Sequence, residues 1–159
     1  MVVAWPQNLV DWMTMLANAS LIIGIPISLL TFAWQERKER QNEQEDIYDK
    51  LMEHYARIQE KLFEYPELDD HKAPLFDPEA ARRQLIIYEM LISLFERAFI
   101  LLSTETSPSY RRMWNSWLDY IYIWVERPNF RAALPQMMRG EDPDFTKFMA
   151  KITGLDLQP

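Results

Sequence analysis

The sequence predicts an all-α protein: one N-terminal transmembrane helix, continuing into a helical stalk and a small cytoplasmic helical bundle. Three observations lead there. Residues 13–34 carry no charge. Asp-Pro or Ser-Pro opens later segments at 77–78, 107–108 and 142–143. Apolar residues recur at helical spacing through the rest of the chain, and no alternating strand pattern or Asn-Gly turn competes. By residue number the expected division is a short extracytoplasmic tail (1–11), a transmembrane helix (12–34), a charged stalk (35–46) and a cytoplasmic helical domain (47–159).

The first element rests on length and flanks. The run from Met13 to Trp34 is 22 residues. At ~1.5 Å rise per residue it reaches roughly 33 Å, against a hydrocarbon core of ~30 Å. Trp5, Trp12 and Trp34 stand near its ends, where indole rings favour an interface. All 17 basic residues come after it, beginning at Arg37. The positive-inside rule then puts the C-terminal domain in the cytoplasm and the protein in the cell membrane as a single-pass chain, a bacterial cytoplasmic membrane by default. A cleaved signal peptide fits less well, because the n-region lacks positive charge.

Within this helix, Ala17, Ser20, Gly24, Ser28 and Thr31 fall on one narrow face. Small residues there predict helix–helix packing, with another membrane protein or with the chain itself. Pro26 lies opposite and should kink the helix. The stretch 35–46 has no large apolar side chain and reads as a solvated helix.

Ile47, Leu51, Tyr55, Ile58 and Leu62 form the stripe of a core-facing helix that ends near Tyr65, before Pro66. Residues 66–76 read as a loop. The next helix has Asp77 as N-cap and Pro78 at its first position. Its body, Leu85–Leu102, is apolar around most of its circumference, which marks a central helix packed on several sides. Glu89, Glu96 and Arg97 argue against a second membrane span. A third helix begins at Ser107-Pro108 and ends at Pro128. A short one comes next, interrupted by Pro135 and stopped by Gly140. Asp142-Pro143 opens the last, which Gly154 ends.

Composition excludes several function classes. Net charge is −7 with no basic stripe, against nucleic-acid binding. Cysteine is absent, which removes disulfides, thiolate metal sites and a Cys nucleophile, and fits a reducing compartment. Three glycines, Gly24, Gly140 and Gly154, cannot build a Walker loop or a Gly-x-Gly-x-x-Gly turn. The two histidines, His54 and His71, each follow a leucine at three residues and not a Glu, so a di-iron bundle motif is missing. Asp69, Asp70 and His71 read as solvated loop residues, and no metal or cofactor is expected.

Two groups could still carry function. Glu89 and Glu96, two turns apart with Ser93 between them, could raise one another's pKa and serve acid–base work. The plainer reading is a polar stripe facing water or Arg. Trp114, Trp117 and Trp124 with Phe130 read first as core, next as a candidate partner surface, and last as a pocket lining. These readings converge on a membrane-anchored, non-catalytic interaction protein, an accessory or regulatory subunit of a membrane complex. The alternatives are a self-assembling membrane scaffold or sensor, and a ligand-binding or enzymatic helical domain using Glu89 and Glu96.

Overall fold

The computed structural model describes residues 8–69, 75 and 77–158, without the side chains of 11, 17–19, 21–23 and 41. Every regular element among them is helical. Helix α1 spans Leu9–Glu64, a 3-10 turn spans Pro66–Asp69, and α2 (Pro78–Leu102), α3 (Pro108–Val125), α4 (Pro128–Met137) and α5 (Pro143–Thr153) complete the order. The chain divides into two compact units at Glu45/Asp46, inside α1.

In the first unit the described large apolar side chains of α1 stand exposed. Twelve described large hydrophobics between Leu9 and Trp34 are 47–78% exposed. Its hydroxyls turn inward on their own helix: Thr14, Ser20, Ser28 and Thr31 each donate to the carbonyl four residues earlier. The helix passes through Pro26 without a break. Beyond Trp34, Arg40 bonds to Glu36 at 2.8 Å one turn away.

The membrane assignment is corrected here. Among the described residues no helix is long and apolar enough to cross a membrane. Freedom from charge is a weaker condition than apolarity. The 22 residues of 13–34 include Thr14, Asn18, Ser20, Ser28 and Thr31, with Gly24 and Pro26 besides. This contradicts the expected transmembrane helix, the single-pass topology and the cell-membrane placement with a cytoplasmic C-terminal domain.

The second unit has a real core. Its part of α1 buries Leu51, Ile58 and Leu62 and half-buries Ile47 and Tyr55. The helix ends at Glu64, just before Pro66, which has no N–H to continue the ladder. The segment from Pro66 onward is not a plain loop. It begins as the 3-10 turn, which buries Leu68, and the buried Gln84 side chain donates to the Leu68 carbonyl at 3.0 Å. Asp70 and His71 lie outside the described residues.

Local chemistry sets the remaining helix starts. Asp77 accepts from the N–H groups of Glu79 and Ala80. Ser107 accepts from Tyr110 N–H at 3.4 Å. Asp142 accepts from Asp144 and Phe145 N–H, both at 2.9 Å. Each satisfies backbone donors that the first turn leaves open, with proline behind it where no donor is needed. Helix α4 starts at Pro128 without a side-chain cap and runs through Pro135 to Met137, so Pro135 does not interrupt it. Gly154 closes α5 in the left-handed conformation at φ 67°, which an L side chain adopts only with strain.

Helix α2 is central, touching the 3-10 turn, α3, α4 and α5. It is not covered all round. Ile87, Leu91, Phe95, Ala98 and Leu102 are buried, while Leu85, Ile86, Met90, Ile100 and Leu101 are 38–50% exposed. Aromatic rings fill the centre. Phe95, Trp117 and Phe130 are all 0% exposed. Tyr88 meets Phe130 edge-on at 5.1 Å, and Phe95 meets Trp117 at 6.4 Å, the geometry that ring quadrupoles favour.

Candidate functional site

Among the described residues of the second unit, polar side chains bear on the expected site in two places. The first is an open cleft of about 460 Å³ between α1 and α2. His54 and Arg57 border it from α1, and Glu89, Ser93 and Arg97 from α2, over the apolar Ile58 and Leu94. His54 and Arg57 are held by their own helix: the His54 Nδ1 lies 2.7 Å from the Lys50 carbonyl, and Arg57 bonds to Glu53 at 2.6 Å. Glu89, Ser93 and Arg97 make no hydrogen bond or ion pair among the described residues and are exposed. The cleft is open to solvent along Glu89, Ser93 and Arg97.

The second place is the turn between α4 and α5. Glu96, half-buried on α2, accepts a hydrogen bond of 2.5 Å from the Asp142 N–H. The Glu141 carboxyl, also half-buried, hydrogen-bonds with Glu96. Two carboxyls in contact need a proton between them. Burial first, then the Glu96 hydrogen bond and charge, push the Glu141 carboxyl up to about 7. Glu96 thereby ties the turn that caps α5 to the central helix.

The expected pairing of Glu89 with Glu96 is thus replaced. Glu89 faces the open cleft, whereas Glu96 turns to Glu141, 45 residues along the chain. Sequence reading missed Glu141, and only a tertiary contact could have found it.

The aromatic residues are corrected in the same way. As a partner surface, Trp117, Trp124 and Phe130 fail, because all three are buried in the core. Trp124 donates its indole N–H to the Tyr55 hydroxyl at 3.2 Å and stacks under the Arg127 guanidinium at 3.8 Å. Arg127 in turn bonds Asp69 at 2.5 Å, so one chain of contacts links the 3-10 turn, α3 and α1. Burial raises the Tyr55 hydroxyl pKa, which keeps it neutral. Trp114 alone of the four is half-exposed, against Phe99 and Phe148.

In the first unit, Ser20, Gly24 and Ser28 line a shallow groove with Ile25, Leu29 and Phe32. A Cβ on Gly24 would meet nothing within 4 Å. Thr31 is exposed, and the Ala17 side chain lies outside the described residues. Among the described residues no group of three or more His, Cys, Asp or Glu is placed to hold a metal ion.

No family model matches the chain, and neither a curated protein nor a solved structure proves similar to it.

Proposed function

We propose that this chain is a non-catalytic interaction protein, an accessory or regulatory subunit whose N-terminal helix docks against a helix of another protein. One observation carries the reading: the twelve described hydrophobics from Leu9 to Trp34 that stand exposed. An exposed apolar surface of that extent marks an interaction site or an aggregation liability. The groove at Ser20, Gly24 and Ser28 is where a second helix could come closest, since interaxial distance falls with side-chain size at the contact. The Ser20 and Ser28 hydroxyls are already bonded to Leu16 and Gly24 carbonyls at 2.8 Å, so covering them strands no donor.

Native mass spectrometry of the gently isolated full-length chain tests this. The expected result is a mass that includes a second polypeptide and is lost in Gly24→Leu. A mass of several copies alone, equally sensitive to Gly24→Leu, would replace this reading with a self-assembling scaffold. A strict monomer would overturn it.

A further inference from the structure

The exposed strip of α2 is self-complementary about Ser93, with apolar residues matched and charges opposite. Leu85, Glu89, Ser93, Arg97 and Leu101 recur at intervals of four, which makes them one ridge on the helix surface. All five are exposed. Counted outward from Ser93, the fourth residue is Glu on one side and Arg on the other, and the eighth is Leu on both. In the adjoining rows the seventh is Ile on both sides: Ile86 is 47% exposed and Ile100 is 50% exposed. A two-fold axis at Ser93 would set each of these residues against its counterpart in the copy, apolar on apolar and Glu on Arg, because residue i meets j and j meets i.

We propose that α2 is a dimerisation helix whose partner is a second copy of this chain, packed antiparallel with the two-fold axis at Ser93. In that arrangement the strip runs opposite in sense to its copy, so residues equally far from Ser93 on either side come face to face. Glu89 of each copy then faces Arg97 of the other, and the leucines and isoleucines close both ends. Neither charge has a partner among the described residues, so the dimer supplies what each chain lacks. A parallel arrangement would set Glu89 on Glu89 and Arg97 on Arg97, and like charges reject it. Ser93, with its small side chain, sits where the two backbones come closest. This surface lies on the second unit, where His54 and Arg57 of α1 border it.

The chain has no cysteine, so one introduced thiol reports one position. Helices 8–10 Å apart, each with a Cα radius of ~2.3 Å, bring facing Cα atoms to about 3–5 Å, which overlaps the range a disulfide spans. Full-length Ser93→Cys should form a disulfide-linked dimer under mild oxidation. Lys151→Cys, on the exposed side of α5, should do so at least about tenfold less. In the Ser93→Cys background, Arg97→Glu should cut the linked fraction about tenfold, since the change acts twice across the axis. Adding Glu89→Arg should restore it. Equal linking at the two positions, or no rescue by the double exchange, would overturn the interface. If the chain assembles while Ser93→Cys stays unlinked, the α2 dimer is wrong and the N-terminal docking reading stands.

Discussion

The two units use the same residue types to opposite effect. Trp12 and Trp34 are 47% and 64% exposed, whereas Trp117 and Trp124 are 0% and 1%. Leu29 stands 64% exposed on α1, and Leu91 is sealed at 0% on α2. All lie in helices, so helix formation is not what separates them. A helix closes its own backbone hydrogen bonds, but it cannot bury its own side chains. Burial needs a neighbour, and α2 has α3, α4 and α5 as neighbours. The difference teaches that the second unit is held by its interior, while the described large hydrophobics of the first stand exposed.

Truncating one indole in each unit breaks this comparison most directly. Trp117→Ala removes a fully buried ring that packs on Phe95, Tyr55 and Tyr120. Its loss should cost about 3–5 kcal/mol, seen as a lower urea midpoint of the full chain. Trp34→Ala should stay within about 0.5 kcal/mol, because its ring is mostly in water. A Trp34→Ala loss as large as that of Trp117→Ala would mean that the N-terminal helix is packed, and the contrast would fall.

A smaller effect sharpens the picture of the second unit. Asp142→Ala removes both cap bonds to Asp144 and Phe145, at the helix start that carries the buried Phe145. The expected cost is about 1–2 kcal/mol in the same titration. Asp142→Asn keeps an acceptor and should recover most of it. Equal losses in the two variants would move the stabilising role from the cap bond to the charge.

These particular residues also show what a sequence can and cannot carry. Asp77, Ser107 and Asp142 are legible because a cap is decided within four residues. So is the stripe Leu51, Ile58 and Leu62, because helical period alone picks out a buried face. The tryptophan stripe reads first as core, and Trp117 and Trp124 are buried there, but spacing names a face and not what covers it, so a partner surface stays open in the sequence. For the same reason the apolar body of α2 hides an exposed strip. The run 13–34 is legible as a helix, but its lack of charge does not make it a span across a membrane. At the candidate site Glu96 stands out in sequence with the wrong partner. Glu89 is near it along the helix, while Glu141 reaches it only after α3 and α4 have folded back.

The Glu96–Glu141 contact gives the smallest effect and the most specific one. Folding lifts the Glu141 carboxyl from 4.5 to about 7. Between those values the folded chain holds a proton that the unfolded chain has released. Stability from this group is therefore fully present below about pH 4.5 and fades as pH rises through about 7. The shift alone corresponds to at most ~3 kcal/mol. Glu141 is only half-buried, and solvent screening brings the expectation nearer to about 1 kcal/mol. That is roughly 3–6 °C in Tm for a domain of this size. The wild-type chain should lose this increment between pH 5 and pH 8 relative to Glu141→Gln, which has nothing to titrate there. Glu96→Gln should flatten the profile too, because an amide oxygen can still accept from the Asp142 N–H without repelling Glu141. Other carboxylates titrate alike in all three chains and cancel in the difference. Parallel melting curves for wild type and Glu141→Gln would mean that no proton is shared, and that Glu96 holds the α4–α5 turn through the Asp142 backbone bond alone.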